Sequence, residues 1–346
     1  MRTWISFLLL LMGCAAQEQQ PLRLLLDWWP NPDHVPIYVG IKKGFFLDED
    51  VEIEVLKTAD PPQALLFLLS GRTDIILHNA PHTVSVLGLC PDLRLCGILI
   101  DRPLRSFVFL KDSEIREPYD LHHKVLGGNP EGLLTAYVQG AMKKWGIQFR
   151  EIRKMSWDAP TALLTGAVDV IAGIFWNIEP EQLRAAGVET RFFPIEMFGV
   201  PTYDELVFVT LRELTEQDPT FVERFKRALQ HSIDWCRENP EEAFEIYVQA
   251  QPGKGPRVLA WERKAWEVTA PLCAYHQVPV EEKWKHLLEW MQAQDLVRHP
   301  TDLTPFLGLP PNLTTEEARL KCVGAPGSFS GTLPESPVET DLASST

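Results

Sequence analysis

The chain has 346 residues, of which 45% are hydrophobic and 23% charged, the balance of an ordinary globular protein. Because a single hydrophobic core rarely grows to this length, we expect two lobes. The formal net charge of −14, from 33 basic and 47 acidic residues, argues against nucleic acid or an anionic membrane surface as a partner.

The first 14 residues resemble a bacterial lipoprotein signal. Arg2 is followed by an apolar stretch at 5–12, too short to span a bilayer, which needs about 20 apolar residues. The run LMGC at 11–14 resembles the lipobox, in which cleavage precedes the cysteine and lipid is attached to its thiol. An ordinary signal peptide that contains a cysteine is the alternative. We expect an exported chain, tethered to a bacterial membrane through Cys14 by a short polar leash at 15–20.

Apolar runs and glycine stops alternate along the first 80 residues. The run at 22–26 predicts a buried strand that ends at the motif DWWPNPDH, residues 27–34. The pattern then predicts a helix over 34–43 ended by Gly44, a strand over 51–56, a helix over 64–70 closed by Gly71, and a strand over 74–77. Strands that alternate with helices form parallel sheets, which bind ligands at the carboxyl ends of their strands.

The motif DWWPNPDH is the strongest local indication of a binding site. Two adjacent indoles, two prolines and polar Asp, Asn and His side chains fall within eight residues. This combination favours a stiff loop that stacks on a flat ligand and hydrogen-bonds its edge. The alternative is a structural loop whose indoles cover a core and whose polar groups form an Asx-type turn. We expect Trp28 to be a pocket wall and Trp29 to be core.

A ten-residue pattern occurs twice. LLSGRTDIIL at 68–77 recurs as LLTGAVDVIA at 163–172. Both copies have the order helix end, glycine cap, aspartate and buried strand. One copy falls in each half of the folded body, which predicts two similar α/β lobes.

The remaining segments predict further strands, a helical region and a tail. Residues 106–111 predict a strand, and VLGGNPEG at 125–132 predicts a strand, a glycine-rich turn and a helix start. That turn either binds an anion through backbone N–H groups or is a simple tight turn. From 219 to 290 the chain is mostly amphipathic helix, and the Pro/Gly/Ser/Thr-rich tail from about Val323 is predicted to be disordered. The core stripe of the first of these helices is Phe221, Phe225, Leu229, Ile233 and Cys236.

Five cysteines follow Cys14. Cys90 and Cys96 are the nearest pair in sequence, and a disulfide between them is allowed outside the cytoplasm. The odd count forbids complete pairing, so we expect most of the five to be buried small hydrophobic residues. No Cys/His spacing indicates a metal, and none is expected.

Three ordered motifs together resemble a known family. DWWPNPDHVPIYVGIKKGFF with the strand at 51–56 resembles the substrate-binding proteins of the NMT1/THI5-like group, and FWNIEP followed by GVPTYDELVFV is similar to its ThiY branch. That branch consists of lipoprotein receptors of ABC importers for thiamine pyrimidine precursors. The resemblance covers residues 22–211 and extends more loosely through the C-terminal helices.

The resemblance implies a type II periplasmic-binding-protein fold, in which two α/β lobes are joined by two crossover strands around a ligand cleft. The crossovers are expected at 106–111 and 204–209. The implied division is a signal peptide at 1–14, a discontinuous lobe from 15–108 and 208–322, a continuous lobe at 109–207 and a disordered tail at 323–346.

The resemblance also implies a ligand: formylaminopyrimidine, or its aminomethyl or hydroxymethyl relative. Such a ring needs aromatic walls and a few fixed donors and acceptors. Asp204 is expected to be a helix cap or a surface charge, and His82 is either a ligand contact or a first-turn helix residue. The expected ligand-binding residues are the aromatic Trp28, Trp176 and Tyr203, the amides and histidines Asn31, His34, Asn79 and His82, and the carboxylates Glu179 and Glu205.

The mechanism implied is hinge closure on the ligand, followed by docking on an ABC permease in the cytoplasmic membrane. The receptor would be a monomer held near the permease by its lipid. No cofactor is expected.

Two other functions compete. In the fungal synthase branch of the same group, a lysine four residues before a donated histidine holds pyridoxal phosphate. Here His82 matches the histidine, but His78 replaces the lysine, and imidazole cannot form the Schiff base. The cysteine-rich run of that branch is replaced by FGVPTYDE.

The other rival is a receptor for an alkanesulfonate, taurine or nitrate. These anions should favour arginine or backbone N–H groups over stacked indoles. The nearest basic residues are Arg102 and Arg105. The sequence therefore favours a pyrimidine receptor without catalysis.

Overall fold

The computed structural model describes residues 20–56, 63–128, 133–155 and 159–308. The expected lipidation site Cys14, the tip of the glycine-rich turn at 129–132, Cys322 and the tail from Val323 lie outside these ranges.

The described residues contain ten strands and twelve α-helices. The strands are β1 (Leu22–Leu25), β2 (Ile53–Leu56), β3 (Ile75–Asn79), β4 (Leu93–Ile100), β5 (Arg105–Leu110), β6 (Val125–Gly128), β7 (Glu151–Lys154), β8 (Val170–Phe175), β9 (Thr190–Pro194) and β10 (Leu206–Leu211). The helices are α1 (Val35–Lys43), α2 (Ala64–Leu69), α3 (Ala80–Leu87), α4 (Leu133–Trp145), α5 (Ala159–Leu164), α6 (Glu179–Ala185), α7 (Arg212–Gln217), α8 (Phe221–Glu238), α9 (Pro240–Ala250), α10 (Pro256–Thr269), α11 (Glu281–Ala293) and α12 (Thr304–Leu307).

The strands form two sheets of the same design. The first has the order β2-β1-β3-β10-β4 and the second β7-β6-β8-β5-β9. In each, three strands are parallel, and the fourth is antiparallel to both of its neighbours. We use lobe 1 for the first sheet with its helices and lobe 2 for the second sheet with its helices. The expectation of two similar α/β lobes is confirmed.

The chain passes between the lobes twice. It changes sheet within residues 101–104, between β4 and β5, and again within 195–205, between β9 and β10. Crossover strands were expected at 106–111 and 204–209. β5 and β10 lie there within one or two residues, but each belongs to a single sheet, and the chain crosses just before it. The domain bounds at 108 and 208 stay a proposal.

The duplicated sequence pattern has one structural role in both lobes. Asp74, before β3, accepts a hydrogen bond from Arg23 N (2.8 Å) and donates its own N–H to Arg23 O (2.9 Å). Asp169, before β8, makes the same two bonds with Val125, at 2.7 and 2.9 Å. The glycine that precedes each aspartate has φ near +70°, which a residue without Cβ adopts freely.

The core follows the alternation expected of strands with two buried faces. Leu24 and Ile75 pack on one face of the first sheet with the apolar stripe of α8, and Leu25 and Ile76 pack on the other. All five residues of that stripe are buried, as predicted.

β3 extends beyond its predicted end at Leu77. His78 and Asn79 continue the antiparallel pairing with Val207 and Leu206 of β10. The prediction stopped where the apolar run stops, whereas backbone pairing continues through the two polar residues. Their side chains are thereby fixed at the carboxyl end of the strand.

The four described cysteines, Cys90, Cys96, Cys236 and Cys273, are all free. Cys90 and Cys96 therefore do not form the disulfide that the sequence allowed, and three of the four are buried, as expected. Among the described helices, none is both long and apolar enough to cross a bilayer.

Candidate functional site

The motif DWWPNPDH forms the loop between β1 and α1, at the carboxyl end of β1 as predicted. Its second half, Pro32–His34, is a short 3-10 turn capped by Asn31, whose Oδ1 accepts a hydrogen bond from Asp33 N (2.8 Å). The turn explains why α1 begins at Val35 and not at His34. Asn31 therefore shapes the loop, and its contact with a ligand stays a prediction.

His34 holds the two ends of this loop together. Its Nδ1 accepts a hydrogen bond from Asn31 N (3.1 Å), so Nε2 carries the hydrogen and donates to Asp27 Oδ1 at 2.9 Å. The side chain is fully buried. Because both ring nitrogens are engaged inside the loop, His34 stabilises the loop conformation, and a direct ligand contact stays a prediction.

The two indoles of the loop lie at right angles, with centroids 4.9 Å apart. Trp28 is half-buried, whereas Trp29 is 43% exposed. The expectation that Trp29 is core is wrong, because the backbone bends through residues 27–30 and leaves this indole at the surface.

Lys254, from the segment between α9 and α10, contacts the backbone of the DWWPNPDH loop. Its Nζ donates to Pro30 O at 2.5 Å and to the hydroxyl of Tyr247 at 2.7 Å, and it forms an ion pair with the buried Glu262. Lys254 lies more than 200 residues from the loop in sequence, and no sequence motif predicted this contact.

The end of β3 and the start of α3 contribute three polar side chains. The Thr83 hydroxyl donates to Asn79 O (3.0 Å) and so accepts from His78 Nδ1 (2.7 Å), which leaves His78 Nε2 as an acceptor. Burial lowers the pKa of His78 to about 4, so this ring is neutral at pH 7. His82 is exposed in the first turn of α3, with its ring centroid 6.3 Å from that of His78.

Glu205 joins the two connections between the lobes. It is fully buried. Its Oε2 accepts from Leu104 N in the first connection and from the Tyr203 hydroxyl in the second, both at 3.0 Å. Its Oε1 accepts from Asn79 Nδ2 and lies 3.3 Å from Arg105 Nε.

Tyr203, Asn79 and Glu205 were each predicted to contact the ligand, and the structure brings them together. Three donors hydrogen-bond to the two oxygens of Glu205, and the guanidinium of Arg105 forms an ion pair with it. Burial raises the pKa of Glu205 and the neighbouring guanidinium of Arg105 opposes the rise. The cluster ties the lobes together, and its direct contact with a ligand stays a prediction.

Lobe 2 contributes Trp176 and Glu179, which follow β8. Trp176 stacks on Phe192 with centroids 5.4 Å apart, and its indole N–H donates to Pro103 O at 3.3 Å. Glu179, the first residue of α6, accepts from Phe175 N at 2.9 Å. Burial raises the pKa of Glu179 to about 7, so this carboxyl can both donate and accept hydrogen bonds near neutral pH.

A buried polar contact connects this segment to the loop of lobe 1. Asn177 Nδ2 donates to Asp33 Oδ1 (2.7 Å) and to Thr269 Oγ1 (2.8 Å). All three residues are fully buried, and burial raises the pKa of Asp33 to about 7. Neither Asp33 nor Asn177 was predicted to be a site residue, although they lie in the motifs DWWPNPDH and FWNIEP.

Asp204 is neither a helix cap nor a surface charge, as it was expected to be. It is 3% exposed, lies 2.5 Å from Lys283 Nζ and accepts from the indole N–H of Trp284 at 2.9 Å. Both partners belong to α11, so the sequence around Asp204 could not reveal them.

The arrangement therefore combines indoles from both lobes with carboxylates, amides and a neutral imidazole. Such groups suit a flat ligand that presents N–H donors and ring acceptors. Among the described residues, no group of three or more His, Cys, Asp or Glu is placed to hold a metal ion.

The sequence profile of a known family, described as NMT1/THI5 like, matches residues 31–243. The match covers more than half of the chain and includes the second half of the loop, the β3 end, both connections and the lobe 2 segment. The chain belongs to the NMT1/THI5-like family.

Relatives of this NMT1/THI5-like chain include binding proteins and enzymes. A Haemophilus influenzae protein whose name assigns it to thiamine biosynthesis is 29% identical over 86% of this chain and 96% of its own length. The formylaminopyrimidine-binding protein of Halalkalibacterium halodurans is 24% identical over 81% of this chain and 87% of its own. A 4-amino-5-hydroxymethyl-2-methylpyrimidine phosphate synthase of Legionella pneumophila is 29% identical over 66% of this chain and 73% of its own.

Solved structures confirm the fold. The periplasmic aliphatic sulphonate binding protein SsuA of Escherichia coli superposes with a TM-score of 0.64 at 14% identity, over 84% of this chain and 97% of its own. The NMT1/THI5-like chain therefore has the type II periplasmic-binding-protein fold that was predicted.

Proposed function

We propose that this chain is the extracytoplasmic solute-binding protein of an ABC importer and that it binds a thiamine pyrimidine precursor. The ligand would be formylaminopyrimidine or its aminomethyl or hydroxymethyl relative. A relative that covers four fifths of the chain is named as a formylaminopyrimidine-binding protein, and the fold is that of periplasmic binding proteins.

The charge distribution of the site is the observation that carries this proposal. The carboxyls of Asp27, Asp33, Glu179 and Glu205 lie around the facing ends of the two lobes, where Arg105 is paired with Glu205. Ionised carboxylates repel a sulfonate or nitrate, and a carboxyl with a pKa near 7, such as that of Glu179, can still accept a hydrogen bond from an amine. The site therefore favours an aminopyrimidine over the anionic ligands of the sulfonate and nitrate receptors.

Synthase chemistry is the second candidate, because relatives include pyrimidine synthases. In the resemblance drawn from the sequence, the lysine of those enzymes is replaced by His78. Here that ring donates through Nδ1 to Thr83 and is neutral at pH 7. An imidazole offers no primary amine for a Schiff base, which supports binding without catalysis.

The two-lobed architecture supports the proposed transport cycle. Two connections allow the lobes to close on a ligand between them, and the closed form would dock on the permease. Lipid on Cys14 would keep the monomeric receptor at the membrane. A Cys14→Ser chain expressed in a bacterium should appear in the soluble fraction, whereas persistent membrane association would exclude this anchor.

Isothermal titration is the direct test of the ligand. The purified chain should bind at least one of the three aminopyrimidines and release no heat with taurine, an alkanesulfonate or nitrate. Each pyrimidine is tested at up to about 1 mM, a concentration that detects binding free energies down to roughly 4 kcal/mol. Absence of heat with all three would reject a pyrimidine as the ligand. Binding of taurine or nitrate alone would establish the rival.

A further inference from the structure

The contact between Asp33, Asn177 and Thr269 crosses between the lobes. Asp33 and Thr269 belong to lobe 1, in the loop after β1 and at the end of α10, and Asn177 belongs to lobe 2, just after β8. One amide group thus bonds to two side chains of the other lobe, at 2.7 and 2.8 Å. Around it, α10 packs on α6 and on the 3-10 turn Pro32–His34.

This buried polar contact costs folding free energy compared with an apolar contact of the same size. Asp33 Oδ2 and Asn177 Oδ1 are buried, and no described residue hydrogen-bonds to them. Burying a carboxyl and leaving polar atoms without partners costs stability, and apolar side chains of the same size would pack there at lower cost. The polar contact therefore needs a reason other than stability.

Its position supplies that reason. Asn177 lies between Trp176 and Glu179, and Asp33 lies five residues after Trp28 in the same stiff loop. The Asn31 cap and the His34 hydrogen bonds fix the loop, so the position of Asp33 fixes that of Asn177. A bond at this point sets how the aromatic and acidic groups of lobe 2 face those of lobe 1.

We propose that Asp33 is a positioning residue that holds the lobes in their facing arrangement through Asn177 and Thr269. It acts on the neighbouring segment and needs no contact with the ligand itself. Directional hydrogen bonds specify one relative placement of the lobes, which an apolar contact of similar area does not. The proposal deepens the proposed binding function, since the facing arrangement would form the ligand site.

Small-angle X-ray scattering of the ligand-free chain tests the arrangement without reference to any ligand. Asp33→Leu and Asn177→Leu should each give a larger radius of gyration than the unsubstituted chain, because the lobes separate. Asp33→Asn should keep the radius of gyration of the unsubstituted chain, since its amide can accept a hydrogen bond from Asn177 Nδ2 and also donate one. Identical scattering from all four chains would overturn the proposal.

Gln277→Leu is the matched control. Gln277 is a buried amide that bonds to Ile98 N and O at 2.7 and 2.9 Å, entirely within lobe 1. Its loss should lower the unfolding midpoint and leave the radius of gyration unchanged. If this control opens the chain as much as Asp33→Leu does, the effect is general destabilisation and the positioning role is wrong.

A second measurement separates this proposal from the proposed function. Asp33→Leu should weaken the affinity for formylaminopyrimidine about tenfold, and Asp33→Asn should recover most of it. If no pyrimidine binds to any chain while the scattering difference persists, the ligand assignment fails and the positioning role stands. If affinity is equal in all chains and scattering is identical, the positioning role fails alone.

Discussion

Two consecutive carboxylates at the entry to β10 are each neutralised by a different cation. Asp204 pairs with Lys283, and Glu205 pairs with Arg105. Each cation comes from a different part of the chain, α11 for one and the start of β5 for the other. A buried ion pair adds little net stability compared with apolar packing, but removing one partner leaves a buried charge uncompensated.

The first prediction concerns Glu205. Glu205→Gln should lower the free energy of unfolding by about 3 kcal/mol at pH 7, because it leaves Arg105 unpaired and turns one acceptor toward donors. Urea unfolding followed by tryptophan fluorescence measures the free energy of unfolding. The control is Glu216→Gln, at an exposed partner of Arg212, which should change the free energy of unfolding by less than about 0.5 kcal/mol. A Glu205→Gln chain as stable as the unsubstituted chain would contradict the assignment.

The second prediction concerns the loop indoles. Trp28→Ala should weaken binding of the favoured aminopyrimidine at least tenfold, about 1.4 kcal/mol, because a stacked ring face is lost. Titration calorimetry measures this affinity, and circular dichroism shows that the fold is kept. Unaltered affinity in Trp28→Ala would remove this side chain from the site.

At the scale of elements, one unit of helix end, glycine, aspartate and strand builds both lobes. Asp74 and Asp169 each join the strand that follows them to the neighbouring parallel strand through a pair of short bonds. A strand preceded by such a carboxylate has its register set by a side chain as well as by backbone pairing.

The third prediction follows from this equivalence. Asp74→Ala and Asp169→Ala should each lower the free energy of unfolding by about 1–3 kcal/mol, because a backbone N–H loses its acceptor. Hydrogen exchange should speed up at Arg23 in the first variant and at Val125 in the second. Asp295→Ala, whose pair with Arg298 is exposed, should leave both amides protected. Unchanged exchange at both amides would show that the aspartates do not hold the strands.

Elements with a local signal were predictable from the sequence. The apolar runs, glycine stops and the repeated pattern located β1, α1, α2, β3 and the α8 stripe to within a few residues, because each depends on neighbours in sequence. The partners of the site residues were not predictable. Three of these partners come from the C-terminal helical region, where nothing in the local pattern distinguishes them from surface residues. They are Lys254 beside Pro30, Lys283 beside Asp204 and Thr269 beside Asn177.

At the scale of the whole molecule, burial of acidic groups links stability to pH. Burial raises the pKa of Asp33, Glu179 and Glu196 to about 7 in each case. In the unfolded chain these carboxyls ionise near their ordinary values, about 4. Between pH 4 and 7 these three carboxyls therefore hold more protons in the folded than in the unfolded state, and their contribution to stability rises as the pH falls.

The fourth prediction uses this linkage. The urea midpoint should increase as the pH falls from 8 to 6.5, and the increase should be smaller in Glu196→Gln, which has no proton to take up there. Below pH 6.5 His78 acts in the opposite sense, because burial lowers its pKa to about 4 and only the unfolded chain takes up its proton. A midpoint that is constant, or that rises from pH 6.5 to 8, would contradict the buried carboxyls.

The position of β10 has a consequence for how the protein is made. β10 lies between β3 and β4, and β4 pairs with no other strand of the first sheet. Synthesis proceeds from the N-terminus, so β4 waits with a bare hydrogen-bonding edge for more than 100 residues while all five strands of the second sheet are completed. A nascent chain that stops before residue 206 therefore exposes a long apolar strand edge, the feature through which unfinished chains associate with one another.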